Sequence, residues 1–443
     1  MHVIGAGLAG LAAAAALAGE RRRPVTLHEA APHAGGRCRS FLDGELGCRI
    51  DNGNHLLLAG NRAALSYLGR IGALDTLTGP QEAVFPFFDV ASGECWTLRP
   101  NRGPVPWWIL AGSRRVPGSA AREYLAALTL RHADPGATVA ERLNREGLLF
   151  RRLWEPLCVA ALNTAPAVAS ARLFGHILAE TLGSGGAACR PLVPRDGLSE
   201  TFVDPAVAML RASGAEIRFG ARLKSVEFGE RGATGLVFED ARVPLGPEDG
   251  AILAVPPAIA ARLLPGLTVP DAYSPIVNAH FRCAAPAGLP LLIGLIGGTA
   301  EWVFRKDGIV SVTVSAADRL VDMPAEKLAP VLWRDVAAAS GLPDDPVPPA
   351  RIVKEKRATF LASPAQLSRR PSAITPWRNV LLAGDYVDTG LPATVEGAIR
   401  SGLAAARHWA DRNPIAARRA GNGVPGQTGR LVGMDRKQQR ALL

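Results

Sequence analysis

A chain of 443 residues exceeds what one hydrophobic core usually supports, so two domains are expected, and 48% hydrophobic residues suit a globular enzyme with large apolar surfaces to bury. Its net charge of +10 does not mark a nucleic-acid binder: residues 411–443 hold seven Arg/Lys against two Asp, half of the excess, and the other basic residues are scattered without interleaved aromatics. Six cysteines without a C-x-x-C pair read as reduced thiols of a cytosolic protein, and eight histidines without a ligand cluster predict no metal.

The first element is Val3-Ile4-Gly5-Ala6-Gly7-Leu8-Ala9-Gly10-Leu11, followed by an alanine-rich run to Ala18. Its G-x-G-x-x-G spacing predicts a strand, a tight turn and a helix whose open N-terminus faces an anion. Gly5 makes the turn, Gly7 lets backbone approach a pyrophosphate alongside Ala9, and Gly10 lets the helix pack closely on the sheet. Pro24 to Glu29 reads as a second parallel strand. Glu29, nineteen residues after Gly10, is placed to accept hydrogen bonds from a ribose diol. The uncharged run Val3–Gly19 also has the composition of a signal peptide or membrane span. Its basic residues, Arg21-Arg22-Arg23, follow rather than precede it, and glycine and alanine supply little transfer free energy, so the dinucleotide reading is preferred.

Gly35-Gly36-Arg37 predicts a second phosphate-facing loop, combining bare backbone amides with a guanidinium fork. A short strand, Leu46 to Ile50, is closed by Asp51-Asn52-Gly53-Asn54-His55, where Asn54 and His55 approach a bound ring system; an Asx-type turn accounts equally for Asp51 and Asn52. Residues 61–80 begin a helical excursion. Pro104-Val105-Pro106-Trp107-Trp108-Ile109-Leu110, with Arg114-Arg115 after it, has the composition of an interfacial membrane anchor or of buried packing in a helical domain. Helical spacing recurs at 120–130, 139–149 and 150–162. The last of these, around Leu153-Trp154-Glu155-Pro156-Leu157-Cys158, is mostly apolar on every side and is either core or the wall of a lipid-shaped tunnel.

Leu192 to Ser199 leads into a helix from Val203 to Ser213 and strands at 214–219 and 221–228. Gly250 to Val255, stopped by Pro256-Pro257, suits a buried parallel strand. From Asp271 to about Arg357 the chain reads as the sheet of a second domain. It holds a strand from Leu291 to Gly297, a hairpin of Glu301–Arg305 with Ile309–Ser315 around Lys306-Asp307-Gly308, and a helix from Pro324 to Ser340. A last strand, Asn379 to Ala383, ends in Gly384-Asp385. Tyr386-Val387-Asp388-Thr389 then lead to a helix capped by Thr394, beside Val395, with Gly397 allowing close approach.

Gly5-x-Gly7-x-x-Gly10, Glu29, Gly35-Gly36-Arg37 and Asp51-x-Gly53-x-His55 together resemble the N-terminal signature of the FAD-dependent amine oxidase and phytoene desaturase superfamily. Leu153-Trp154-x-Pro156-Leu157-Cys158, Glu355-Lys356-Arg357-Ala358-Thr359-Phe360 and Gly384-Asp385-x-x-x-Thr389-Gly390-Leu391-Pro392-Ala393-Thr394-x-Glu396 resemble a narrower branch. That branch is the squalene-associated FAD-dependent desaturases, the hydroxysqualene dehydroxylases of hopanoid biosynthesis. The resemblance runs to about Arg412, with Tyr386 standing where Trp is expected. It implies an α/β (overall α+β) fold: a Rossmann-like FAD-binding domain of the glutathione-reductase type from residues 1–75, 190–265 and 375–412. A discontinuous substrate domain, part helical and part mixed sheet, is expected from 76–189 and 266–374, and the polar 413–443 as a disordered basic tail. It further implies FAD held by Gly5, Gly7, Ala9, Gly10, Glu29, Gly36, Arg37, Gly384, Asp385, Thr394 and Val395, with the backbone of Val226 at the adenine edge. The helix after Thr394 would turn its positive end to the flavin.

The same branch implies hydride delivery from N5 of reduced FAD to an allylic carbon whose hydroxyl leaves as water. The leaving group needs a proton from an acid in an apolar pocket. Asp388 and His55 are the candidates, then Glu155 and Tyr386. A thirty-carbon apolar isoprenoid binds by burial, at about 0.8 kcal/mol per CH₂, which calls for a greasy slot and a membrane-side entrance. The protein is therefore expected in the cytoplasm, with a peripheral contact on the inner face of the cell membrane. Four tyrosines, Leu391-Pro392-Ala393 where an aromatic cage would be offered, and no cysteine after Cys283 disfavour an amine substrate and a covalent flavin. A carotenoid-type desaturase or isomerase, an amine oxidase and a non-catalytic flavin-binding partner remain as alternatives.

Overall fold

The computed structural model describes residues 1–21 and 24–413; the tail expected to be disordered lies, from residue 414 on, outside the described residues. Five parallel strands form one sheet, in the order Glu216–Arg218, Thr26–His28, His2–Ile4, Ala251–Leu253, Val380–Leu382. Three separated stretches of chain supply them. Each strand is short, and Val3, Leu27, Ile252 and Leu381 are buried because helices cover the sheet. Helices Leu8–Arg21 and Val395–Arg412 pack against each other, and both touch the sheet. Small residues let them approach closely. A Cβ on Gly402 would stand 2.0 Å from the Ala9 carbonyl oxygen, so the two helices touch backbone to backbone. This is the α/β arrangement the glycine spacing predicts.

A second sheet has seven strands, in the order Ala350–Phe360, Tyr273–Arg282, Ile309–Val314, Trp302–Lys306, Leu292–Ile296, Phe85–Asp89, Cys95–Leu98. All neighbours are antiparallel except Leu292–Ile296 with Phe85–Asp89. Period-two alternation gives it two unlike faces. Val277, Ala279, Phe281, Val310, Val312 and Val314 pack against Leu328, Leu332, Trp333 and Val336 of the helix Ala325–Ser340. The opposite face carries Asn278, His280, Ser311, Thr313 and Lys306, and it meets the 51–55 turn.

The strand, hairpin and helix expected between 291 and 340 are present within a residue or two. Phe85–Asp89 and Cys95–Leu98 were not foreseen. Pro86 argues against a strand, but parallel pairing with Leu292–Ile296 starts only at Phe87, so the missing N–H breaks nothing on that side. The predicted helix 139–149 shrinks to Val139–Arg142, because Asn144 takes the Glu146 and Gly147 amides into a turn. Residues 150–162 form a wide π turn, Phe150–Trp154, continuing as the helix Glu155–Leu162. Trp154, Cys158 and Leu162 are buried, whereas Leu157, Val159 and Ala160 on the other side stay accessible. No helix among the described residues is long and apolar enough to cross a membrane.

Candidate active site

The nucleotide end is built from two glycine turns that face each other. Gly5 sits at φ +105°, and Gly35 and Gly36 at +105° and +58°, backbone settings that favour glycine. Gly35 N donates to Ala6 O at 2.8 Å, which joins the turns. A Cβ on Gly36 would lie 3.5 Å from the Gly7 Cα, whereas one on Gly7 would meet nothing within 4 Å. Open space therefore lies over Gly7, at the N-terminus of the helix Leu8–Arg21, whose first turn contains no acid. That is a cradle for an anionic group. The Glu29 carboxylate is held by the amides of Ala6 (2.7 Å) and Ala31 (2.8 Å), which fixes it at the end of its strand. Val226, 8% exposed, lies on Leu223–Gly229, an edge strand of a three-stranded sheet.

Arg37 and Asp385, far apart in sequence, meet at 2.7 Å, and Arg37 also donates to the Ala358 carbonyl. The charge of Asp385 raises the Arg37 guanidinium, against burial. Beneath them is Arg370, which sequence reasoning missed. Its side chain is 2% exposed, and it donates to three successive carbonyls: Asp385 at 3.4 Å, Tyr386 at 3.2 Å and Val387 at 2.5 Å. The Phe360 ring lies 5.1 Å from its guanidinium carbon. Nothing in its local sequence, Ser368-Arg369-Arg370-Pro371, separates it from a surface arginine. Asp388 is exposed, 3.7 Å from Arg370, and turns one oxygen onto the Gly390 amide at 3.1 Å.

At the other end, Thr394 caps the helix Val395–Arg412 through the Gly397 amide at 3.0 Å. Glu396, the acid of that first turn, is buried and points away. It accepts from Ala63 N (3.1 Å) and Ala64 N (2.8 Å), capping the helix Arg62–Ile71, and pairs with Arg400.

The 51–55 turn meets the polar face of the second sheet. Asp51 is not an Asx-turn residue but a junction: it accepts from Leu198 N (2.9 Å) and Ser40 Oγ (2.6 Å) and pairs with Lys306. Burial works against its charge, but Lys306 and these hydrogen bonds outweigh it and hold the carboxyl below its usual range. Asn54 Nδ2 donates to Thr313 Oγ1 at 3.1 Å, and Thr313 donates to Asn278 Oδ1 at 2.8 Å. His55 lines a small hollow with Val193, Leu198, Leu291, Phe304 and Lys306. Burial lowers it to about 4, with Asp51 opposing and Arg37 and Lys306 assisting, so it is neutral at pH 7.

Another group the sequence did not flag is Glu301, at the head of the strand Trp302–Lys306. One carboxylate oxygen accepts from Ser315 N at 2.8 Å. Burial pushes the carboxyl up to about 7, although Ser315 and Arg319 pull it down; Glu155 adds to the rise. Two residues of the helix Glu155–Leu162 and its cap therefore address this corner, because Asn163 accepts from Ala316 N at 2.6 Å and donates to Ser274 O and Thr359 Oγ1 at 3.0 Å.

The residues present fit a flavin dinucleotide. The glycine cradle is open over Gly7, and three buried polar atoms on the surrounding motifs, Asn54 Oδ1, Tyr386 Oη and Thr389 Oγ1, have no partner within the described protein. A parallel sheet with a phosphate-type cradle, meeting the polar face of a second sheet at the 51–55 turn, defines a flavin-dependent oxidoreductase. The flavin containing amine oxidoreductase family matches residues 8–408. Hydroxysqualene dehydroxylase of Rhodopseudomonas palustris is 48% identical over 92% of this chain and 97% of its own, and that of Sinorhizobium fredii is 45% identical over 92% and 97%. Cyclohexylamine oxidase from Brevibacterium oxydans shares the fold at 17% identity, with a TM-score of 0.69 over 93% of this chain and 98% of its own. The chain belongs to the flavin containing amine oxidoreductase family and, within it, to the hydroxysqualene dehydroxylases. It is an oxidoreductase with FAD as its cofactor.

Proposed function

We propose that this chain reductively dehydroxylates hydroxysqualene to squalene, a step of hopanoid biosynthesis. The observation that carries the reading is the 48% identity, over nearly the full length of both chains, to a protein of that name. We assign the FAD-binding part to residues 1–75, 190–265 and 375–412 and the substrate-binding part to 76–189 and 266–374. In this reading Gly5, Gly7, Ala9, Gly10 and Gly36 cradle the pyrophosphate, with Arg37 and Asp385 at its flank. Glu29 takes the ribose diol, Val226 the adenine, and Gly384, Thr394 and Val395 the flavin end.

Held by these residues and reduced, FAD would supply the hydride that replaces the hydroxyl on the substrate carbon. The C–O bond would break and a C–H bond form, with the oxygen leaving as water once the chain has given it a proton. Asp388 and His55 lie in two of these motifs, but Asp388 is exposed and His55 is neutral at pH 7. Glu301, its carboxyl pushed up to about 7 by burial, is partly protonated near neutral pH and joins them as a candidate source. The accessible Leu157, Val159 and Ala160 support an apolar wall for the hydrocarbon. An oily substrate also favours peripheral contact with the inner face of the cell membrane.

The test is anaerobic incubation of reduced, FAD-loaded protein with hydroxysqualene, followed by mass analysis for squalene. A product with added double bonds, or peroxide released from amines, would replace this reading. Glu301→Gln is expected to keep FAD and lower turnover about a hundredfold, and wild-type turnover is expected to fall as pH rises through about 7, where Glu301 loses its proton. Asp388→Asn or His55→Ala proteins with FAD bound and wild-type turnover would remove those residues from the list.

A further inference from the structure

We propose that the outer face of residues 105–128 docks the protein onto an anionic lipid bilayer. Five large apolar side chains there face solvent: Val105 is 71% exposed, Trp107 49%, Leu110 72%, Leu125 51% and Leu128 62%. They come from the turn Trp107–Leu110 with Val105 just before it, and from the adjoining run Ala121–Leu125 with Ala126–His132. The inward residues of these elements lock the two together. Trp108, 3% exposed, packs edge-on against Tyr124 at 5.2 Å, the Tyr124 hydroxyl accepts from Val116 N at 3.0 Å, and Tyr124 meets Trp154 at 5.8 Å. The Trp107-Trp108 pair thus divides, one ring anchoring the patch and the other standing outside it. Folding leaves the outer residues uncovered although a well-formed core lies directly beneath, and a cluster of this kind marks a contact surface.

Charge identifies what covers it. Between residues 99 and 132 there are six arginines and one acid, Glu123. Glu123 is already turned onto the Ala120 amide. Arg102 and Arg122 are exposed beside the apolar residues, and the Arg114 guanidinium lies 4.9 Å from the Trp107 ring. Arginines whose stems border an apolar patch suit the phosphate level of a membrane, with Leu and Trp below it. A second copy of the same face would set two arginine rims against each other. The chain's own residues 414–443, with six Arg/Lys and one Asp, are equally mismatched to it. Tyr124 and Trp154 connect the patch to the helix Glu155–Leu162, which carries the proposed hydrocarbon wall. The inference deepens the lipid-substrate reading, but its test uses no substrate.

Full-length FAD-loaded protein is sedimented with vesicles of phosphatidylcholine alone and with vesicles containing about one third phosphatidylglycerol. Binding to the anionic vesicles, weakened by high salt, is expected. A Leu110→Glu/Leu128→Glu protein should partition about tenfold more weakly while keeping its flavin absorbance and melting temperature. Wild type that ignores both vesicle types, or a double variant that binds as well as wild type, overturns the proposal. So does a wild-type dimer that the double variant converts to monomer, which would make the face an interface between copies. Squalene formation in detergent micelles, measured on the same proteins, separates the two readings: vesicle binding without turnover sinks the enzymatic assignment and leaves this one standing.

Discussion

Gly7 and Gly10 stand three residues apart in one turn and answer to different constraints. A Cβ on Gly10 would lie 1.9 Å from the Gly5 carbonyl oxygen, so alanine there forces helix and turn apart. A Cβ on Gly7 meets only the space proposed for pyrophosphate. Gly10→Ala is therefore expected to destabilise the FAD-free protein by about 3 kcal/mol, read as a lowered melting temperature. Gly7→Ala should leave that temperature nearly unchanged and weaken FAD binding about tenfold, read by flavin fluorescence titration. FAD binding unaffected by Gly7→Ala would remove the phosphate from this turn. Such residues are legible in sequence because their spacing carries the reason for them. Arg370, Lys306 and Glu301 are not, since what distinguishes each is a partner many residues away.

The turn from Asp385 to Asp388 is an element with no regular hydrogen-bond ladder of its own, and Arg370 substitutes for one. Three carbonyls converge on a single buried guanidinium, which burial lowers and the charges of Asp388 and Asp385 partly restore. Arg370→Met leaves those carbonyls dry and is expected to cost about 3 kcal/mol and to loosen FAD, because Asp385 then loses its fixed place opposite Arg37. Arg370→Lys should recover little, as one ammonium cannot reproduce the planar fork. Equal FAD affinity in all three proteins, measured by titration, would show that the turn stands without the clamp. Elsewhere at this scale, local chemistry is decisive: Thr394 caps as the sequence suggests, and Asn144 ends a helix that apolar spacing alone extends to Leu149.

Taken as a whole, the molecule buries several histidines as neutral rings. His28 and His280 are each 1% exposed and lowered by burial to about 4, as is His55. Their folded values lie below the unfolded 6.5, so as pH falls below about 6.5 the unfolded chain takes up protons that the folded one refuses. Stability should drop between pH 6.5 and 4, by on the order of 3 kcal/mol for each of His28 and His280. Glu301 works the other way: its raised value means that stability falls as pH rises from about 4.5 to 7. The histidines outnumber it, so a net loss toward acid is expected in urea unfolding at pH 7.5 and pH 5. Replacing His28 and His280 by Gln should flatten that dependence, and a wild-type midpoint equal at both pH values would contradict the account.

Periodicity and glycine spacing were enough for the parallel strands, the hairpin around Lys306-Asp307-Gly308, the helix Ala325–Ser340 and both phosphate-type turns, because each is dictated by residues close together in the chain. The pairing of Phe85–Asp89 beside Leu292–Ile296, the Arg37–Asp385 and Asp51–Lys306 contacts, the clamp at Arg370 and the raised acid at Glu301 depend on residues that folding brings together from distant positions. The same holds for the exposed rim around Trp107. Whether a tryptophan is core or surface is decided by what packs over it, and that is a property of the folded molecule rather than of any stretch of sequence.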